Sequence, residues 1–211
     1  MHASEKRIRE DLESLALCTD GAGPGITRLT FSPAENRARS YLRGQMLQAG
    51  LRVRIDEAGN VIGRLDGQNG SLPAVMAGSH IDSIRSGGNF DGMAGVVAGL
   101  EAARIFRDTG LRPKRSIEIV GFTGEENSRF YPGQFGSRAM AGMDRLRAGL
   151  QGRGGALRES PALRRAGLRY GPPTSKCTAF WDVFIKNRRK TQQIDGESCG
   201  IRGIDFPNIK R

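Results

Sequence analysis

Histidine is nearly absent from this chain. Of 211 residues only His2 and His80 carry an imidazole, and His2 lies at the extreme start. Imidazole chemistry in a folded interior therefore has to run through His80. Cysteine is also scarce: Cys18, Cys177 and Cys199 show no C-x-x-C spacing, which argues against a disulfide framework and fits a reduced, cytoplasmic setting. No apolar run approaches the roughly 20 residues that span a bilayer, so no membrane association is expected. The opening MHASEKRIREDLESL is charged from the outset and does not read as a secretory signal. Hydrophobic residues make up 37% of the chain, low for a globular protein, while glycine is high at 30. A core is expected, but not along the whole length.

What the chain has in excess is positive charge, +11 overall, and its location matters. Residues 1–142 carry 18 Lys+Arg against 16 Asp+Glu, the balance of an ordinary soluble protein; residues 143–211 carry 15 against 6. The basic character belongs to the tail. The tail holds KNRRK at 186–190 but few interleaved aromatics and no recognised nucleic-acid motif, so a nucleic-acid partner is not expected.

Residues 4–17 read as a helix capped by Ser4, with Ile8, Leu12 and Leu15 on one face. Ser32-Pro33-Ala34-Glu35 is a helix start in which the serine caps, the proline takes the first position and the glutamate can reach back to the cap amide; Gly50 is placed to end that helix. Strands are expected over Leu51–Ile55, Val61–Leu65, Ala74–Gly78 and Ser116–Phe122, with DEAGN turning between the first two and a helix over Gly92–Arg107 between the last two. Strand, helix, strand in this span reads as a right-handed βαβ unit. The tail offers a helix near 157–166 and a strand over 178–185.

The chemistry-bearing residues gather on one edge of that unit. His80 and Asp82 follow its first strand in GSHID, Asp91 stands before the crossover helix in GGNFDG, and Glu125 and Glu126 follow its second strand in GFTGEENSRF. In open α/β sheets, sites form beyond the carboxyl ends of parallel strands. Imidazole and carboxylates suit a divalent metal such as zinc, with room left for water. Asp82 can hold the other ring nitrogen of His80, and Asp91 can bridge two ions about 3.5–4 Å apart. One of the adjacent glutamates can bind metal while its neighbour moves a proton. Taken singly, H-x-D is a weak signal, N-F-D-G suits a turn or cap, and E-E suits a solvated surface; the combination on one sheet edge is what points to chemistry.

The segments AGSHIDSIRSGGNFDGMAGVVAGLEAARI and IEIVGFTGEENSRFYPGQFGSRAMAG resemble the hydantoinase/carbamoylase family of amidases, which includes N-carbamoyl-L-amino-acid hydrolases and allantoate amidohydrolases within the di-zinc aminopeptidase superfamily. The resemblance starts near ITRLTFSPAENRARSYL and runs through DEAGNVIGRL to Gly142, about two thirds of the chain. It implies an α/β fold, a three-layer, zinc-aminopeptidase-like (phosphorylase/hydrolase-like) mixed sheet with helices on both faces, here incomplete. It implies His80, Asp91 and Glu126 as metal ligands with Asp91 bridging, Glu125 as general base, and Asp82 as partner of His80. The implied cofactor is Zn2+, or Mn2+, Co2+ or Ni2+ in its place, up to two ions in the family and fewer here. The implied substrate is a small linear amide such as an N-carbamoyl amino acid.

The family's E-L-H-I-E-Q-G-like phrase has its counterpart in WDVFIKN, where Phe184 takes the place of a ligand histidine, and a later ligand histidine and the dimerisation domain, which would begin around 200–204, have no counterpart. Residues 1–142 are thus expected to be the N-terminal part of a metal-dependent amidohydrolase domain. Residues 143–211 are expected to be a divergent basic segment, partly like the catalytic domain, its ordering left open. A truncated or divergent amidohydrolase of doubtful activity is the expectation. The alternatives are a non-catalytic binding module of the same fold and, behind it, a peptidase or aminoacylase, or a nucleic-acid binder acting through the basic tail.

Overall fold

The computed structural model describes residues 2–131 and 133–141, together with the backbone of short strand segments at 151–152, 155–156 and 177–182. Helix α1 spans Glu5–Ala16 and α2 spans Pro33–Gln48. Strands β1 (Arg52–Ile55), β2 (Val61–Leu65) and β3 (Ala74–His80) lead to the crossover helix α3 (Met93–Thr109) and then β4 (Ile117–Phe122). Beyond lie β5 (Phe130–Tyr131), α4 (Phe135–Met140), β6 (Gln151–Gly152), β7 (Gly155–Ala156) and β8 (Cys177–Asp182). The main sheet runs β1-β2-β4-β3-β8. It is mixed: β3 is parallel to both β4 and β8, while β2 is antiparallel to β1 and β4. The βαβ unit expected from the sequence is therefore present as β3-α3-β4.

Alternation along the strands sorts the two faces. Val61 and Ile119 join Leu42 and Met46 of α2 and Val97 and Leu100 of α3 in the larger core. On the opposite face Ile62, Met76, Val120 and Phe122 cluster, with Met140 of α4 packed against them. Helices thus meet both faces, as expected. Gly78 pairs with Val120 of β4: its φ is +153°, and a Cβ there would stand 1.9 Å from the Val120 carbonyl oxygen.

The helix starts follow their sequence signals. Ser4 caps α1 by accepting from the Arg7 amide, and Ser32 caps α2 by accepting from the Glu35 amide. Glu35 departs from expectation in one atom. The Ser32 amide is already taken by the Leu29 carbonyl, so the Glu35 carboxylate accepts from the Phe31 amide one residue earlier. Phe31 has φ +58°, a left-handed conformation rare for a bulky residue, and its ring packs edge-on against Phe135 at 6.0 Å.

The predicted tail helix near 157–166, the KNRRK run, Phe184 and residues 200–204 lie outside the described residues. The predicted strand over 178–185 is present as β8 as far as Asp182. The small sheet β5-β6-β7 and helix α4 were not anticipated: two-residue strands carry no readable alternation, and six residues of α4 give less than two turns of periodicity.

Glu35 generates a pH dependence. It is fully buried, its Oε1 has no partner, and burial pushes its pKa up to about 7 against the pull of Arg39 3.0 Å away. A carboxyl whose folded pKa lies above its unfolded value near 4.5 binds its proton more tightly when folded. Its contribution to stability is full below pH 4.5 and is lost as pH rises to about 7. Glu35→Gln should remove up to about 3 kcal/mol of this slope. The fall in Tm between pH 4.5 and 7.5 should be smaller in E35Q than in the native chain; parallel profiles would show that Glu35 ionises normally.

Candidate metal centre

His80 is the last residue of β3, paired with Phe122 at the end of β4. The strand runs two residues further than the apolar pattern suggested, so the imidazole is carried by the sheet itself. It is almost fully buried. Gly92, the cap residue of α3, passes directly over it: φ is +69°, and a Cβ at this position would stand 2.7 Å from Nδ1 and Cε1. Both the backbone conformation and the close approach require glycine here. Asp91, next to it, is brought to the rim in this way, half exposed.

Nδ1 of His80 stands 2.9 Å from the backbone carbonyl oxygen of Asp82 and 3.9 Å from its Oδ1. The nearer Asp82 atom is thus its backbone carbonyl oxygen rather than its carboxylate. A carbonyl only accepts, which assigns the Nδ1 proton and turns the Nε2 lone pair outward. Nε2 faces Asp91 Oδ1 at 3.5 Å and Glu125 Oε2 at 4.0 Å.

The Asp82 carboxylate does something the sequence did not reveal. It is fully buried and accepts the Glu125 amide at Oδ1 (3.0 Å), and the Glu126 amide (3.1 Å) and the Thr30 hydroxyl (3.0 Å) at Oδ2. The glutamate loop after β4 is thereby stitched to the end of β3. Arg28, buried with no carboxylate as hydrogen-bond partner, braces the same corner by donating to the Ile81 carbonyl at 2.7 Å and to Leu15 and Cys18 of the first helix's end. Both bracing residues sit in TRLTFS, a stretch marked only by resemblance, since a buried arginine reads like a surface one in sequence.

Three ligand atoms result, from His80, Asp91 and Glu126, all within 4.8 Å of one another. Glu125 flanks them at the imidazole. The electrostatics fit a cation. Burial, reinforced by neighbouring carboxylates, raises the pKa of both Glu125 and Glu126. For His80 burial works against the charged form, but Asp82, Glu125 and Asp91 outweigh it and raise the imidazole's pKa. A proton on the ring is what the carboxylates can recruit in place of a metal.

Much of the chain is similar to known proteins. Residues 60–152 match the model of peptidase family M28. An N-carbamoyl-L-amino-acid amidohydrolase of Paenarthrobacter aurescens is 44% identical over 141 residues, covering 67% of this chain and 34% of that protein. An allantoate amidohydrolase of Bacillus subtilis (strain 168) is 31% identical over 199 residues, 92% of this chain and 48% of the relative. The crystal structure of a hydantoinase/carbamoylase family amidase from Burkholderia ambifaria superposes with TM-score 0.77 and 32% identity, covering 84% of this chain and 44% of that one. The chain is a relative of the hydantoinase/carbamoylase amidases. It spans less than half the length of these relatives. Like the amidase from Burkholderia ambifaria, it has a sheet with helices, and the family expected from GSHID, NFDG and FTGEENSRF is the one found.

The stitching by Asp82 can be tested without metal. Asp82→Asn keeps the size of the side chain but sets an amide NH2 against at least one buried donor. Orphaning such a donor and losing the anionic acceptor should cost about 2 kcal/mol or more. A lowered urea midpoint at unchanged m-value would show it; a native midpoint would mean that the loop is held without the Asp82 carboxylate.

Proposed function

We propose that residues 1–142 form the metal-binding part of a hydrolase that cleaves C–N bonds of linear amides, with N-carbamoyl amino acids as the substrate class. The observation that supports this most directly is the approach of His80, Asp91 and Glu126 ligand atoms to within 4.8 Å, with the Glu125 carboxylate beside them. The names of the relatives, an N-carbamoyl-L-amino-acid amidohydrolase and an allantoate amidohydrolase, supply the substrate class.

In this proposal His80 Nε2, Asp91 and Glu126 hold a divalent ion, zinc by the mixture of nitrogen and oxygen donors, with manganese, cobalt or nickel as substitutes. The ion, when bound, would polarise the amide carbonyl and lower the pKa of water. The protein residues do the rest. Asp91, the most exposed of the set, is the ligand placed to face a second ion. Glu125, raised by burial and free of the ligand set, takes the proton from water and hands it to the leaving nitrogen. Asp82 orients His80 through its carbonyl and both glutamates through its carboxylate. A small-molecule amide as partner and a cytoplasmic setting belong to the same proposal. Among the described residues no helix is long and apolar enough to cross a membrane.

The second reading, a non-catalytic module of the same fold, separates from the first by experiment. Equilibrium dialysis against zinc or manganese should show uptake by the native chain and by Glu125→Gln, and loss in Asp91→Ala. Equal uptake by native and D91A would refute the metal centre. Turnover of N-carbamoyl amino acids by the metal-loaded chain should fall about 10²- to 10⁴-fold in E125Q. Uptake without turnover in the native chain would favour the binding module.

A further inference from the structure

The turn between β1 and β2 carries a group that reaches the root of the glutamate loop. Asn60 closes DEAGN and is fully buried. Its own turn fixes it: Asp56 Oδ1 accepts the Ala58 and Asn60 amides, and Gly59 takes φ +90° to close the bend. The carboxamide then bridges three elements. Nδ2 donates to Asp56 Oδ2 at 2.8 Å and to the Gly136 carbonyl in α4 at 3.0 Å. Oδ1 accepts the Thr123 amide at 3.0 Å. An acceptor is needed toward β4 and two donors toward Asp56 and α4, so only an amide side chain of this length satisfies the slot.

Thr123 is the first residue after β4 and leads into Gly124, Glu125 and Glu126. The amides of residues 134, 135 and 136 donate in order to the carbonyls of Glu125, Gly124 and Thr123. The Thr123 hydroxyl donates to the Gly59 carbonyl and accepts from Arg39. Asn60 therefore sets both the root of the glutamate loop and, through Gly136, the helix start that holds the loop's carbonyls. Gly136 is shaped to it: a Cβ there would fall 2.0 Å from Asn60 Oδ1.

We propose that Asn60 is a positioning residue of the metal centre, placing Glu125 and Glu126 through Thr123 and Gly136 without touching ion or substrate. This rests on the assignment of His80, Asp91 and Glu126 as ligands. The test uses the full chain with Asn60→Asp, which keeps an acceptor toward Thr123 but faces Asp56 and the Gly136 carbonyl with a carboxylate. Leu100→Ala, in the core on α3, is the control for general loss of stability.

Two measurements keep the proposal separable from the ligand assignment. In metal-free protein, amide exchange at Thr123, Glu125 and Glu126 should speed at least tenfold in N60D and stay native-like in L100A at matched stability. With cobalt as probe, N60D should lose about 10- to 100-fold in affinity, the range for outer partners of metal ligands, and show an altered visible spectrum. L100A should bind cobalt within about twofold of native. Native exchange and native cobalt affinity in N60D would overturn the proposal. Faster exchange in N60D with no cobalt uptake by the native chain would keep Asn60 as the loop's anchor and refute the ligand assignment instead.

Discussion

The architecture of the rim depends on one buried anion. Asp82 has no solvent access, and burying a carboxylate is costly unless it is paired or hydrogen-bonded. Here the compensation comes from three uncharged donors: two consecutive backbone amides and a hydroxyl. Because those amides belong to Glu125 and Glu126, satisfying Asp82 fixes the backbone of both glutamates. The carbonyl of the same residue fixes the tautomer of His80. One residue thereby sets groups on two strands in register, at the carboxyl ends of the parallel pair where such sheets form sites.

The loop carrying the glutamates is held at three amides and three carbonyls. Its amides go to Asp82 and Asn60, and its carbonyls go to the start of α4. Its side chains are what is left free to act. This division, with the main chain spent on position and the side chains left for chemistry, is what a preorganised site needs, since ligand geometry then costs little entropy on binding.

Much of this was legible in the sequence. The elements up to residue 122 follow from periodicity and caps, and the five rim residues follow from placing H-x-D, N-F-D-G and E-E on a βαβ unit. What escaped has a common cause. The supporting partners act through the backbone: the Asp82 carbonyl on His80, Phe31's amide on Glu35, the α4 amides on the loop. Every residue carries those groups, so no residue type announces them. Where side chains do the supporting, as with Arg28, Thr30 and Asn60, sequence distances of 53, 52 and 63 residues separate them from their partners, and no local pattern encodes a contact at that range.

The contrast with the other buried acids among the described residues bears on what the rim is for. Asp11 meets Arg104 at 2.5 Å, Glu35 meets Arg39 at 3.0 Å, Glu101 meets Arg7 at 2.7 Å and Glu118 meets Arg64 at 3.1 Å. Each of the four has a guanidinium as its ion-pair partner, the ordinary means of burying an acid in a structural role, although at Glu35 burial still outweighs the pull of Arg39. At the rim the nitrogen that faces Asp91 and Glu125 is Nε2 of the His80 imidazole. Among the described residues, the ion pairs of Asp91 and Glu125 are with this ring alone. Like charges this close raise one another's pKa and favour any cation that can enter. Among the described residues no lysine or arginine forms an ion pair with Asp91, Glu125 or Glu126, and that contrast is what favours the proposed metal centre over a solvated surface.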